Sequence, residues 1–259
     1  MTAAATPATL AAMLSHGSPA PAPALGRLSF EVAGVVLEPQ ACGALWWRQA
    51  QLLVVSDLHL EKASAYAARG QMLPPYDTRA TLLRIARLIE RLRPATVISL
   101  GDSFHDRRAR TRMAADDISL VRFLTSACDW VWVEGNHDPA PPEDLGGRVA
   151  PALIQGPLTF RHEPTEGGVR GEVAGHLHPC ARVVSRLGVV RTRCFVTDGT
   201  RLVMPAYGAL TGGLNVMDEA FGALFRDGLV VGVLGREGVY AAGRDQLAGD
   251  LARPGRASA

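Results

Sequence analysis

The chain has 259 residues, of which 47% are hydrophobic and 20% are charged, and this is the composition of a globular protein with a substantial core. The formal net charge is only +2, so bulk charge does not predict binding to duplex nucleic acid, and any contact with a polyanion would have to be local. No stretch of about 18 apolar residues occurs, which excludes a predicted transmembrane helix. The four cysteines lie far apart without a C-x-x-C pair, which indicates reduced thiols in a cytoplasmic protein.

Composition divides the chain into three parts. Residues 1–26 are rich in alanine and proline without the pattern of a signal peptide, and we expect a flexible leader. Residues 27–248 are expected to form one domain. Residues 249–259 are expected to be a frayed tail.

The first half of the predicted domain alternates strands with helices. Short strands are expected within 28–39 and 44–48, fully buried strands at 51–56, 95–100 and 129–134, and helices at 77–94 and 113–127. The order β-α-β-α-β predicts that the three buried strands are parallel neighbours.

The helix predicted at 77–94 is amphipathic. Asp77 is the expected N-cap, and Pro94 is expected to end the helix. The arginines on the side opposite the apolar stripe (Arg84, Arg87 and Arg91) are interpreted as a solvated face without a function.

After Pro142 the sequence changes to short strands with turn residues between them and little helix. A half that mixes helices with strands, followed by a strand-rich half, predicts an α/β (α+β) protein. We expect two sheets packed face to face with helices outside them.

Residues able to bind a metal follow five of the predicted strands. They are Asp57 and His59, then Asp102 and His105, then Asn136 and His137, then His162, and finally His176 and His178. In open α/β sheets the strand ends on one edge share a crevice, so these side chains are expected to meet. Glycine directly precedes Asp102, Asn136 and His176, which permits tight turns and close approach of the backbone.

The expected ligands are oxygen and nitrogen atoms without a thiolate. This set suits manganese, iron or zinc better than calcium, magnesium or a structural zinc ion. Seven ligands are too many for one tetrahedral ion and fit two ions that share a carboxylate. Two carboxylates leave two divalent ions under-neutralised, so the site should attract a phosphate. Alone, D-x-H is a weak signal, G-D is more often a turn, and His162 is more often a surface or core histidine. G-N-H-D is rarer and G-H-x-H is moderately specific, and the combination favours a metal site.

The order D-x-H, G-D-x-x-H, G-N-H-D, H and G-H-x-H resembles that of the calcineurin-like binuclear metallophosphoesterase superfamily over residues 50–180. The stretches "SDLHLEKASAYAARGQMLPPYDTRATL", "LGDSFHD", "LTFRHEP", "GHLHPCARV" and "MPAYGALTGGLNV" are similar to the ligase-associated DNA damage response endonucleases (PdeM). This narrower resemblance covers about residues 28–225.

The resemblance implies a four-layer α-β-β-α sandwich of two mixed sheets and a centre of two divalent ions. Manganese is the expected metal, with iron or zinc as alternatives. The implied ligands are Asp57, His59 and His178 for the first ion, Asn136, His162 and His176 for the second, and Asp102 as the bridge.

Further roles near the centre are less specific. His137 is the expected catalytic residue, which would stabilise or protonate the leaving oxygen, and its alternative role is a hydrogen bond that supports a ligand. Asp138 would orient His137 or complete the turn, and His105 would contact substrate or support the site. Arginines follow the bridging aspartate in "HDRRARTR", and they would bind phosphates or form a solvated loop. Those expected to bind substrate with His105 are Arg107 and Arg108, and Arg110 and Arg112 lie in the same segment.

The leading hypothesis is a manganese-dependent DNA endonuclease that acts in repair on single-stranded or unpaired DNA. DNA is therefore the expected partner, and an ATP-dependent DNA ligase with its associated repair enzymes is a family-level expectation. The alternatives are a phosphatase or phosphodiesterase for a small nucleotide or a lipid-linked phosphoester, and a catalytically silent scaffold. Silent relatives usually lose ligands, and here the whole set is present.

Overall fold

The computed structural model describes residues 28–167, 169–186, 188–226 and 228–250. The predicted leader at 1–26 and most of the predicted tail at 249–259 lie outside these ranges. The limits of the domain at 27 and 248 therefore stay a prediction.

The first sheet has seven strands that are hydrogen-bonded in chain order. They are β1 (Phe30–Val32), β2 (Val35–Pro39), β3 (Leu45–Trp47), β4 (Leu52–Val55), β5 (Thr96–Leu100), β6 (Asp129–Val133) and β7 (Arg148–Ala150). Strands β1 to β4 pair antiparallel, and β4 to β7 pair parallel. The prediction that the three buried strands are parallel neighbours is confirmed.

The second sheet has ten strands. They are β8 (Leu153–Gln155), β9 (Leu158–Arg161), β10 (Glu172–Ala174), β11 (Pro179–Ser185), β12 (Gly188–Thr197), β13 (Arg201–Val203), β14 (Leu214–Asn215), β15 (Val230–Leu234), β16 (Val239–Ala242) and β17 (Leu247–Ala248). The main order is β14-β11-β12-β13-β10-β9-β8, with β15 and β17 paired to β12 and β11. Strand β10 is parallel to both β9 and β13.

Helices lie outside the two sheets. They are α1 (Lys62–Ala67), α2 (Asp77–Leu92), α3 (Ala109–Arg112), α4 (Ala115–Ala127) and α5 (Glu219–Leu224), with 3-10 turns at Glu143–Leu145 and Arg244–Gln246. Helices α2 and α4 pack on the outer face of the first sheet, and α5 packs on the outer face of the second. The predicted sandwich of two mixed sheets flanked by helices is confirmed.

Alternation along the central strands explains the layers. Leu53 and Val55 of β4 face the helices, whereas Leu52 and Val54 face the second sheet. All four are buried, as expected for a strand covered on both faces. Between the sheets, Leu52 and Val54 pack in the same core as residues of the second sheet such as Phe160.

Two expectations about the helix at 77–94 are wrong. Tyr76 and not Asp77 is the N-cap of α2, and the Asp77 carboxylate accepts a hydrogen bond from the Ala63 N–H at 3.0 Å. Arg84 is not part of a solvated face, because its guanidinium donates to the carbonyls of Cys42 and Tyr207.

Among the described residues, the longest helix is α2 with 16 residues, and none of the helices is long and apolar enough to cross a membrane.

Candidate metal centre

The first sheet brings Asp57, His59, Asp102 and Asn136 to one edge. These residues follow β4, β5 and β6, which are parallel neighbours in register. Beyond the strand ends the loops after β4 and β5 remain joined by main-chain hydrogen bonds, including His59 N–H to the Asp102 carbonyl at 2.8 Å. The positions of the first ligand candidates thus follow directly from the strand register.

The second sheet brings the other three candidates to the same edge. His162 follows β9, and His176 and His178 follow β10, which is parallel to β9. The Gly175 N–H donates to the His162 carbonyl at 2.9 Å, which continues the pairing past the strand ends.

Asp57, His59 and His178 form one cluster of donor atoms. His178 Nε2 lies 3.0 Å from Asp57 Oδ1 and 3.4 Å from His59 Nε2. Asp57 is held by the Ser56 hydroxyl, which donates to Oδ2 at 2.5 Å, and by the His176 N–H at 3.2 Å.

Asp102, His162 and His176 form a second cluster. Asn136 joins them, because its Oδ1 lies 2.9 Å from His162 Nε2 and 3.1 Å from His176 Nδ1. The two imidazole nitrogens are 3.2 Å apart.

Asp102 lies between the two clusters. Its Oδ2 is 3.8 Å from His59 Nε2 and 3.4 Å from His162 Nε2, and its Oδ1 accepts the His137 N–H at 2.9 Å. One carboxylate oxygen thus faces a histidine of each cluster, and this is the position that a bridging ligand needs.

The clusters fit cations chemically. In the second cluster His162 Nδ1 faces the Leu100 carbonyl at 3.2 Å, so Nδ1–H donates there and Nε2 is the nitrogen directed at Asn136 and Asp102. Carboxylate, amide and imidazole acceptor atoms thus converge on each cluster. A positive ion at each cluster would offset the repulsion among them, taking the place of any proton that His162 Nε2 carries.

Left-handed backbone conformation is concentrated at the ligand candidates. Five of the seven have positive φ angles: Asp57 at 52°, His59 at 43°, Asp102 at 45°, His176 at 67° and His178 at 47°. Non-glycine residues rarely adopt this region, and each instance costs about 1–3 kcal/mol, so such strain is concentrated at functional sites. The D-L-H and H-L-H segments share the same alternating geometry and face each other across the first cluster.

The glycines before the ligands are sterically required. A Cβ at Gly101 would collide with the His162 ring, and one at Gly135 would collide with Asp102. At Gly175 a Cβ would collide with the Ser56 hydroxyl and lie 2.6 Å from Asp57 Oδ2. The predicted close approach at these glycines therefore has a specific neighbour in each case.

Burial and charge set the protonation of the centre. Burial lowers the pKa of His59 to about 3, although the charges of Asp57 and Asp102 oppose the shift. Burial would raise the pKa of Asp102, but the hydrogen bond and charge of His162, the His137 N–H and the charge of His59 together outweigh it and lower the pKa to about 2. Burial would lower the pKa of His162, but the hydrogen bond and charge of Asp102, with the charge of Asp57, raise it to about 9. A neutral His59 and an ionised Asp102 are the forms that bind metals, and a cation at His162 would have to displace a proton.

His137 lies at the exposed side of the centre. Its Nδ1 faces the His105 carbonyl at 2.9 Å, so Nδ1–H donates there and Nε2 faces Asp102 Oδ2 at 3.9 Å. The imidazole rings of His105 and His137 stack with their centroids 5.5 Å apart. The His105 carbonyl therefore orients His137, whereas the Asp138 carboxylate accepts from the Phe104 N–H and burial raises its pKa to about 8.

A cleft of about 580 Å³ opens beside Asn136 and His137. Its other walls come from α1 and the segment after β5, namely Ala65, Ala68, Arg69, Asp106, Arg107, Arg108 and Arg112. Arg110 does not line the cleft, and its guanidinium forms hydrogen bonds with Asp144 at 2.6–3.1 Å.

Three residues near the centre were not expected from the sequence. Ser56 supports Asp57, Arg69 lines the cleft, and the positive charge of Lys62 contributes to the lowered pKa values of His59 and His105. Lys62 is the only lysine of the chain, and this rarity was the one available signal. Arg69 follows α1 without a pattern that distinguishes it from a solvated residue.

The fold and the donor clusters define a metal-dependent phosphoesterase, and the match to a family model and the similarity to a nuclease agree. Residues 50–198 match the model of the calcineurin-like phosphoesterase family. The crystal structure of the Pseudomonas putida nuclease MPE has 31% sequence identity and a TM-score of 0.65, covering 84% of this chain and 100% of that one. A phosphoesterase from Escherichia coli, Yfce, has 16% identity and a TM-score of 0.39, covering 73% of this chain and 95% of that one. A search of curated proteins found no match.

The chain belongs to the calcineurin-like phosphoesterase family, since the family model covers more than half of it. The predicted superfamily is confirmed, and so is the prediction of a metal-dependent phosphoesterase. The similarity to a nuclease is consistent with the narrower family of ligase-associated endonucleases.

Proposed function

We propose that the protein is a DNA endonuclease that hydrolyses phosphodiesters of single-stranded or unpaired DNA at a binuclear metal centre. The observation that carries the proposal is the pair of donor clusters joined by Asp102, open on one side to an arginine-lined cleft. The similarity to a Pseudomonas putida nuclease over the whole length of that chain supports it.

The proposed ligands follow the two clusters. Asp57, His59 and His178 would hold the first ion, Asn136, His162 and His176 would hold the second, and Asp102 would be shared between them. When bound, the ions supply Lewis acidity and an activated water for attack on phosphorus. Manganese is the proposed ion because the donors combine oxygen and imidazole nitrogen, with iron and zinc as alternatives.

The proposed catalytic residue is His137, which in its doubly protonated form donates the Nε2 proton to the leaving oxygen and becomes neutral, keeping the proton on Nδ1. The hydrogen bond from Nδ1 to the His105 carbonyl supports this role, because it fixes the orientation of the ring. Among the residues proposed to bind substrate, Arg107 and Arg108 line the cleft and contact phosphates next to the scissile one, and His105 stacks on the ring of His137.

The proposed biological role is DNA repair in the cytoplasm, together with an ATP-dependent DNA ligase and its associated enzymes. The cytoplasmic setting is supported by the free state of all four cysteines. Co-purification of the ligase with the tagged protein from its own cells after DNA damage tests the partnership.

The function is tested with circular single-stranded DNA and the metal-free protein reloaded separately with manganese, iron or zinc. We expect manganese to give linear and then shorter products. Asp102→Ala should lower the rate at least about 100-fold, since even residues that only support a ligand change activity by 10–100-fold. Circles that stay intact with every ion would contradict the proposal. Rapid cleavage of bis-p-nitrophenyl phosphate with polymeric DNA untouched would instead favour the small phosphoester substrate.

A further inference from the structure

The arginines around the cleft fall into two groups according to their partners. The Arg112 guanidinium donates to both oxygens of Asp106 at 2.9 Å, and its Nε donates to the Ser64 hydroxyl at 3.0 Å. Arg110 is paired with Asp144, outside the cleft. These two arginines have their charges matched within the protein.

Arg69, Arg107 and Arg108 form the second group, which we call the open arginines. All three are exposed and line the cleft, and among the described residues no carboxylate or carbonyl accepts a hydrogen bond from their guanidinium groups. Asp106, the one carboxylate that the described part of the chain places on the cleft wall, is already engaged by Arg112. The cleft therefore presents three unmatched positive charges next to a centre that acts on phosphate.

We propose that the open arginines bind phosphates of the strand segment that departs with the leaving oxygen, with Arg69 as a contact equivalent to Arg107 and Arg108. The inference rests on the proposed function and adds to it a polarity and a requirement for substrate length. The cleft volume of about 580 Å³ lies within the usual size of a binding site.

The polarity follows from the position of His137. In an in-line displacement the leaving oxygen lies on the side of phosphorus opposite to the attacking water. A residue that protonates this oxygen has to be within hydrogen-bond reach of it. Because His137 itself lines the cleft, the segment attached to the leaving oxygen extends along the open arginines.

Arginine chemistry supports a polynucleotide over a small phosphoester. Guanidinium groups bind phosphate oxygens in pairs, and contacts to several phosphates position a strand without reading its sequence. A mononucleotide cleaved at its only phosphate has no further phosphate to place in the cleft. The open arginines would then have no role in its cleavage.

The experiment compares Arg69→Gln with Arg110→Gln in the manganese-loaded full-length protein. Arg110 is the matched control, because it belongs to the same region and its guanidinium is held outside the cleft by Asp144, which also binds Arg122. The substrates are single-stranded oligothymidylate and bis-p-nitrophenyl phosphate. The readout is kcat/KM for the oligothymidylate divided by kcat/KM for the small ester.

We expect Arg69→Gln to lower this ratio about tenfold, as the loss of one charge-assisted hydrogen bond predicts, and Arg110→Gln to leave it unchanged. The slope of log kcat/KM for the oligonucleotide against log salt concentration should become less negative by about 0.7 in Arg69→Gln, because one phosphate contact to a single strand is lost. An unchanged ratio, whether both substrates lose activity equally or neither does, would overturn the inference while leaving the nuclease activity established. A wild-type protein that cleaves only bis-p-nitrophenyl phosphate would overturn the proposed function and the inference with it.

Polarity is tested with oligothymidylates that carry a p-nitrophenyl ester on a terminal phosphate, one at the 5′ end and one at the 3′ end. Release of p-nitrophenol leaves all other phosphates on the retained side of the reaction. For both esters Arg69→Gln should then show the same relative rate as it does on bis-p-nitrophenyl phosphate. A tenfold loss on either ester would place the retained strand in the cleft and refute the proposed polarity.

Discussion

Both sheets extend main-chain pairing to the loops that carry the ligand candidates, and the second sheet adds buried charged side chains beside His162. In the first sheet, main-chain hydrogen bonds set the loops that carry Asp57, His59 and Asp102. The Leu60 N–H donates to the Ser103 carbonyl at 2.9 Å, and the His105 N–H donates to the Leu60 carbonyl at the same distance. These loops continue the pairing of β4 with β5 by two to five residues beyond the strand ends, so the ligand positions are an extension of the sheet.

In the second sheet, buried charged side chains hold the loop that follows His162. Glu172 and Arg201 are almost completely buried with 3.5 Å between them, and the Glu172 carboxylate also accepts the Thr165 N–H at 3.0 Å. Arg201 donates to the carbonyls of Thr165 and Gly167. Arg161 adds a second positive charge 3.6 Å from Glu172.

This difference separates ligand candidates whose positions depend on strand register from ligand candidates whose positions also depend on particular buried charged side chains. Main-chain pairing tolerates many side chains, whereas a buried carboxylate between two guanidinium groups tolerates few. Substitutions away from the ligands should therefore have larger effects on the His162 side than on the Asp57 side.

Glu172→Ala is expected to have the largest effect, lowering the free energy of unfolding by about 3–5 kcal/mol. The substitution leaves the Arg201 guanidinium buried without its counter-ion and removes the acceptor of the Thr165 N–H. Denaturant unfolding measures the stability, and isothermal titration with manganese measures the accompanying loss of affinity.

Two variants control this experiment. Glu172→Gln keeps an acceptor for Thr165 and should cost less, and Asp129→Ala breaks the exposed pair with Arg148 on the first sheet and should cost below about 1 kcal/mol. A Glu172→Ala protein as stable as Asp129→Ala would mean that the buried Glu172–Arg201 pair does not hold the loop after His162.

The regular features of the fold and site could be predicted from the sequence. The run of apolar residues at 51–56 marks a strand buried on both faces, and strand β4 is that strand. Because parallel strands end at a common edge, Asp57, Asp102 and Asn136 could be expected to meet from chain order alone. The structure brings the seven predicted ligands together, although their role as ligands stays a prediction.

The side-chain contacts could not be predicted, because they join positions far apart in sequence. Arg84 reaches the carbonyl of Tyr207, which lies 123 residues away, and no periodicity in either segment indicates this contact. The division of the cleft arginines into matched and open groups depends on Asp106 and Asp144, whose placement is set by the loops. Asp77 was wrong as an N-cap because its carboxylate is used by α1.

Gly175→Ala is expected to have an intermediate effect, of about 1–3 kcal/mol on stability, with manganese affinity lowered 10–100-fold. The added methyl group would displace the Ser56 hydroxyl and the Asp57 carboxylate, which couple the second sheet to the first cluster. Denaturant unfolding of the metal-free protein measures the stability, and titration calorimetry with manganese measures the affinity.

Gly212→Ala is the matched control for Gly175→Ala. A methyl group added at Gly212 would meet no described atom within 4 Å, and the φ angle of Gly212 is not positive, so stability and metal affinity should stay within error of the wild type. If both alanine variants bind manganese normally, close approach at Gly175 does not shape the first cluster.

Arg84→Ala is expected to have the smallest effect, about 1–2 kcal/mol on stability. The Arg84 guanidinium hydrogen-bonds the carbonyls of Cys42 and Tyr207 at 2.8 and 3.1 Å and lies 4.3 Å from the centroid of the Tyr207 ring. The Tyr207 N–H in turn donates to the Ser56 carbonyl at 2.7 Å. Arg84 therefore supports, through Tyr207, the start of the loop that carries Asp57.

Arg87 lies one turn further along α2 and is exposed, which makes Arg87→Ala the matched control with an expected change within about 0.5 kcal/mol. Because the loop that carries Asp57 is also fixed by main-chain pairing, manganese affinity should change less than threefold in Arg84→Ala. A larger loss of affinity would show that the first sheet, like the second, relies on side chains to position its ligands, and the contrast between the two sheets would then be wrong.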